Sequence, residues 1–62
     1  MKNRAYTVYK DEAGVVFAEF DDMIKAGFHP ATAKGKLTPI ASGSVAGCRE
    51  LFAIEKSFKE AK

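Results

Sequence analysis

The twelve residues "AGFHPATAKGKL", positions 26–37, decide how this chain is read. Pro30 suits the first position of a helix, where a missing amide proton leaves nothing unpaired. Gly27, just ahead of it, suits the left-handed residue that closes a preceding helix. On this reading one short helix ends at Ala26 and a second begins at Pro30. The second stops by Thr38, because Pro39 pushes the residue before it out of helical geometry. The competing reading is an ordinary helix start in a very small domain.

Upstream, "RAYTVYKDEAGVVFAEF" reads as a hairpin. Its first arm, "AYTVY", is β-branched and aromatic, and "DEAG" is a turn in which Gly14 can take positive φ. A four-residue loop over 11–14 would set Lys10 opposite Val15 and Val8 opposite Phe17. Tyr6, Val8 and Phe17 would then share one face, and Tyr9, Val16 and Phe20 the other. Which face is buried stays open. Val16, Phe20, Met23, Ile24 and Phe28 follow helical spacing, so the second arm is expected to be a strand over about 15–18 that passes into a helix running to Ala26. Asp21 and Asp22 suit that helix's first turn, where the macrodipole favours anions.

Downstream, "TPIASGSVAG" reads as a loop or short extended piece. The last segment, "SVAGCRELFAIEKSFKEAK", is the clearest element. Val45, Cys48, Leu51, Ile54, Phe58 and Ala61 recur at three- and four-residue steps and form an apolar stripe. Ser44 can cap its start and Glu55 with Lys59 is a favourable i,i+4 pair. Gly47 weakens the first turns, so the helix is expected to begin properly near Cys48. The stripe places Cys48 among buried structural thiols.

The fold class expected is α+β: an N-terminal β-hairpin, two short helices in a helix-turn-helix-like arrangement, and a long amphipathic C-terminal helix. The chain opens at Met1 and has no linker, so residues 1–62 read as one complete small domain. At 62 residues such a domain buries only ~60% of its unfolded surface, and its core is marginal without staples or a partner. A single cysteine closes no internal disulfide, and with a single histidine it builds no structural zinc site. Stability must come from the core, which 47% apolar residues can supply, or from self-association as a homodimer. No apolar run approaches membrane-spanning length and the N-terminus lacks a secretion-type hydrophobic segment. With the lone thiol, this points to the cytoplasm and to no membrane partner.

The net charge of +2 says little, but its distribution says more. Asp11, Glu12, Glu19, Asp21 and Asp22 cluster early, and the next acid is Glu50. Between them lie Lys25, Lys34, Lys36 and Arg49, together with His29. That segment is purely cationic and would draw an anionic partner.

"GFHPATAKGKL" resembles the turn and recognition helix of helix-turn-helix DNA-binding proteins. Gly27 matches the turn glycine, Phe28 the buried residue after it, Thr32 and Ala33 the middle of the reading helix, and Leu37 its packing residue. The resemblance spans roughly 19–37. It departs from the pattern at His29, a poor cap, at Gly35, which interrupts the helix, and at Asp22 and Met23. It implies a small regulatory protein that reads double-stranded DNA through a helix at 30–37. A helix docked in the major groove turns its N-terminal side chains to base edges and its flanking cations to phosphates. His29, Thr32 and Lys36 would then face bases, with Lys25 and Lys34 on the backbone. A glycine-serine loop before a helix also offers amides to an anion, so Ser42 and Ser44, reinforced by Arg49, form a second expected phosphate site.

Enzyme chemistry is not expected, and neither is a cofactor. No carboxylate or nucleophile stands at a telling spacing from His29, and "GSVAG" lacks the lysine of a phosphate loop. Tyr6, Tyr9 and Phe17 could form a stacking platform for single strands, though on so small a hairpin they serve more simply as core. The main alternative is a protein-interaction module, an inhibitor, adaptor or antitoxin-like factor docking on a larger protein through surplus apolar surface or a strand edge.

Overall fold

The computed structural model describes residues 3–60. Strands β1 (Arg4–Lys10) and β2 (Val16–Phe20) form the hairpin, and helix α1 (Asp21–Lys25) follows β2 without a break. After a long loop come strand β3 (Thr38–Val45) and helix α2 (Cys48–Glu60). The sheet is antiparallel in the order β2-β1-β3, so the first strand is the central one.

The hairpin register differs by one residue from the four-residue loop. Lys10 faces Val16, Tyr9 faces Phe17 and Val8 faces Ala18. The Asp11 side chain is the cause. Its Oδ1 accepts hydrogen bonds from the amides of Ala13 (3.0 Å) and Val15 (2.8 Å). The Asp11 amide donates to the Val15 carbonyl, and Gly14, at φ +88°, donates to the Asp11 carbonyl. This Asx-type turn takes in Val15 and makes the loop one residue longer. Because side chains alternate along a strand, the slip exchanges faces. Tyr6, Val8, Val16, Ala18 and Phe20 lie on one side, Tyr9 and Phe17 on the other. The three aromatics of the expected stacking platform are therefore split between two faces.

Val8, Ala18, Phe20 and Leu51 form the buried core, with Tyr6, Val16, Ala41, Val45 and Ile54 packed around it. Helix α2 covers this face and lies mainly over β2. Its start near Cys48 and its Glu55–Lys59 pair (3.5 Å) agree with the sequence reading. The stripe is narrower than expected, however. Leu51 is buried and Ile54 half-buried, whereas Cys48 and Phe58 are exposed; Val45 belongs to β3, and Ala61 lies outside the described residues. A short sheet beneath a thirteen-residue helix can cover only its middle turns. Glu55 does more than pair with Lys59: its Oε1 accepts the Ala18 amide of β2 at 2.8 Å. Over the same face the Arg4 guanidinium sits 3.8 Å from the Phe20 ring centroid and donates to both carboxylate oxygens of Asp22. That hydrogen bond holds the Asp22 carboxyl below its ordinary range.

Of the loop or short extended piece expected over 38–47, the extended alternative forms, as an eight-residue edge strand. Its Gly43 lies under the Tyr6 ring, and a Cβ there would stand 2.8 Å from the Tyr6 hydroxyl. Packing across strands thus outweighs the weak strand preference of Ser and Gly. Ser44 consequently sits opposite Ala5 in the ladder and is not a helix cap.

The second helix, at 30–37, does not form, so the helix-turn-helix arrangement stops at its first helix and turn. Helix α1 ends near Gly27, which takes φ +95° as expected. A single turn then closes from the Ala33 amide to the Pro30 carbonyl. The helical ladder goes no further because its donors are taken. The Lys34 amide bonds Asp11 Oδ2 and the Lys36 amide bonds Glu12 Oε2, both at 3.0 Å. Gly35 sits at φ +75°, outside right-handed helix.

Leu51 is the helix's buried contribution to the core, at 3% exposure. Leu51→Ala is expected to cost ~2–5 kcal/mol, enough to leave a domain of this size largely unfolded. Thermal melts followed by circular dichroism check this; an unchanged midpoint would contradict the assigned core.

Candidate nucleic-acid interface

The face opposite α2 is built by α1 and the loop that follows it. Thr7 of β1 donates its hydroxyl hydrogen bond to Asp21 Oδ1 at 2.7 Å, which pins α1 across the sheet. The loop then crosses the same face as a strap. Pro30, Ala33 and Leu37 turn inward, half-buried, around a concavity that Tyr9 and Ile24 also line. These three keep the spacing of a helix face without being helical, which explains why the sequence reads as one.

The strap is tied down at the hairpin turn. Asp11 is 6% exposed, and its carboxylate accepts three backbone amides: Ala13, Val15 and, from the strap, Lys34. Next to it the Glu12 amide donates to the Lys34 carbonyl at 3.0 Å, and the Glu12 carboxylate accepts the Lys36 amide. Gly35 allows this approach, since a Cβ there would lie 2.6 Å from Glu12 Cδ. Burial pushes the Asp11 carboxyl up, but the amides of Lys34, Val15, Ala13 and Gly14 outweigh it and hold the group below the ordinary aspartate value.

This arrangement sets the electrostatics of the strap. The carboxylates nearest to Lys34 and Lys36 are taken by main-chain N–H groups rather than by ammonium groups. Among the described residues the ion pairs are Arg4–Asp22 and Lys59–Glu55. Lys25, Lys34 and Lys36 have no carboxylate partner there, and all three are exposed. His29 and Lys36 rim the Tyr9–Ile24 concavity, while Lys25 rims a neighbouring one that shares Tyr9 and Ile24.

Lys25 ends helix α1, whereas His29, Thr32, Lys34 and Lys36 stand on the irregular strap that follows it. Thr32 is exposed in the turn at 31–32. The second phosphate site does not assemble. Ser42 and Ser44 stand on β3 opposite Thr7 and Ala5, and Arg49 is in the first turn of α2, in the other layer. The expected glycine-serine loop is strand, so no helix start follows it directly. Sequence reasoning missed Asp11, Glu12 and Ile24 as parts of this site, and considered Tyr9 only for a single-strand stacking platform. Asp11 was legible in principle, as an aspartate opening a turn whose amides it can cap. Comparison with protein-family models, with curated proteins and with solved structures returned no match.

Asp11→Asn tests the clasp. The amide nitrogen of Asn would meet the Lys34 N–H donor to donor, while Oδ1 could still serve Ala13 and Val15. The strap should loosen and the hairpin persist, with faster amide exchange at Lys34 and Lys36 than at Val15. The wild type should lose stability as the pH falls below 3.8, the ordinary value for the group. Its folded-state value is depressed, so the stabilisation is present above that pH and disappears through the lower folded value. In Asp11→Asn, melting midpoints should vary less with pH over the same acid range.

Proposed function

We propose that this chain binds double-stranded DNA through phosphate contacts made by the strap, in a regulatory or architectural role. The supporting observation is the distribution of partners around it. Asp11 and Glu12 serve the strap's backbone, which leaves Lys34 and Lys36, with Lys25 beside them, available to an anion. Ammonium groups that neutralise phosphates displace condensed counterions, and this term supplies affinity without reading sequence. With no helix at 30–37, nothing enters the major groove in the manner of a recognition helix. Binding should therefore discriminate weakly among sequences. Exposed Phe28 and His29 offer planar groups to a groove edge or a splayed base.

A second reading has its own observation. Val15, Ile40 and Phe58 are each exposed yet meet around one concavity at the hairpin end of α2. Such a patch, together with Phe52 at 65% exposure, suits an apolar protein partner.

Salt dependence separates the two. Lys34→Ala combined with Lys36→Ala should weaken duplex binding and reduce the slope of log K against log salt by about 0.9 for each phosphate no longer neutralised. Thr32→Ala should leave affinity and sequence preference unchanged. Titration of a fluorescent duplex at several salt concentrations measures both. A wild type with no salt-sensitive binding to any duplex would exclude the DNA reading and favour the protein partner.

A further inference from the structure

The two outer edges of the sheet are treated differently. In an antiparallel ladder, opposed residues alternate between bonded pairs and pairs whose amides face away. On β2 the Ala18 and Phe20 amides face out of the sheet, and each is met by a carboxylate: Ala18 by Glu55 at 2.8 Å, Phe20 by Glu19 at 3.0 Å. Two of that edge's outward amides are thus occupied, and the two carboxylates make it anionic. The β3 edge has neither treatment. Val8 and Tyr6, opposite Ala18 and Phe20, direct their backbone groups toward β3, where they meet Ala41 and Gly43. The alternation then leaves the N–H and C=O of Ser42 and Ser44 facing outward. The strand holds no charged residue over 38–45, and among the described residues no other strand pairs with it beyond β1.

We propose that β3 pairs antiparallel with β3 of a second copy of this chain, about a two-fold axis through Gly43. In that register Ser42 faces Ser44 of the second copy, and their outward backbone groups exchange hydrogen bonds. Gly43 faces Gly43, and Ala41 faces Val45. The sequence Ser-Gly-Ser is its own mirror about the axis, so the edge is complementary to itself in shape and charge, as an isologous interface requires. Tyr6 already covers Gly43 on the α2 side, so the glycine leaves no hole there.

The occupant follows from both edges together. A neutral edge without gatekeeping charge invites another strand. A chain open at both edges would grow into fibres, whereas here the outer edges of the joined sheet would be the two β2 edges, where Glu55 and Glu19 occupy the Ala18 and Phe20 amides and repel a second anionic edge. Assembly therefore ends at two. The small core gives a reason for pairing, since among the described residues only Val8, Ala18, Phe20 and Leu51 are buried hydrophobics. The axis runs perpendicular to the sheet, so both straps lie on the same side of the dimer. The inference does not depend on what the straps bind.

Sedimentation velocity from low to high micromolar concentration tests the proposal, with two double variants. Ser42→Lys with Ser44→Lys places lysine opposite lysine across the axis and should abolish the dimer. Ser42→Lys with Ser44→Glu places lysine opposite glutamate and should retain it. Circular dichroism at low concentration should show both variants folded. In the wild type, the Ser42 and Ser44 amides should gain protection from exchange as concentration rises, which needs no variant. A wild type that stays monomeric would overturn the proposal. So would double variants that behave alike, or a dimer in which these amides exchange freely.

Discussion

A single carboxylate organises both sides of this sheet. Asp11 accepts two amides of its own turn and one from the strap, and each bond has a separate consequence. The bonds to Ala13 and Val15 lengthen the hairpin loop, and the longer loop fixes Val8 opposite Ala18. That register puts Tyr6, Val8, Val16, Ala18 and Phe20 under α2. The bond to Lys34 draws the strap across the opposite face, over Tyr9 and Ile24. Burying a carboxylate is costly unless its oxygens are satisfied, and here backbone donors supply what water gave up. Since those donors are main-chain groups, their satisfaction neutralises no lysine.

A similar economy operates at the sheet's edges. Glu55 is held by the helix, reaches the free side of β2 and accepts the Ala18 amide, while its other oxygen meets Lys59. It therefore docks α2 and occupies an exposed edge donor at once. Nothing comparable stands beside β3 among the described residues. Its small side chains allow Tyr6 to lie over Gly43, and they also leave its outer backbone bare. The fold is asymmetric in this respect, with acidic side chains on two amides of one edge and the other edge neutral.

The distribution of charge gives the strap its character. In sequence, the acids end at Asp22 and resume at Glu50, with cations between. In space the segregation is incomplete, because the hairpin turn brings Asp11 and Glu12 against Lys34 and Lys36. Their carboxylates accept strap amides, and among the described residues neither lysine forms an ion pair. On the function proposed above, such a surface would meet a phosphate backbone rather than read bases, since Lys34 and Lys36 stand on an irregular segment with no helix to insert.

Local chemistry by itself determined much of the outline. Alternating β-branched and aromatic residues made β1 legible, paired aspartates and Gly27 bounded α1, and the spacing around Leu51 and Ile54 identified α2. The cationic segment was legible as well. These signals act over a few residues, as backbone preference, capping and amphipathic spacing do. Tertiary structure decided the rest. Residues 30–37 have the proline, the spacing and the alanines of a helix, yet Asp11 and Glu12, more than twenty positions away, take the amides that helix would need. Residues 38–45 lack strong strand formers, yet the open side of β1 and the ring of Tyr6 make them a strand. In both places the backbone's hydrogen bonds were claimed by partners distant in sequence, and a bond gained through tertiary packing outweighs a local preference of a few tenths of a kcal/mol.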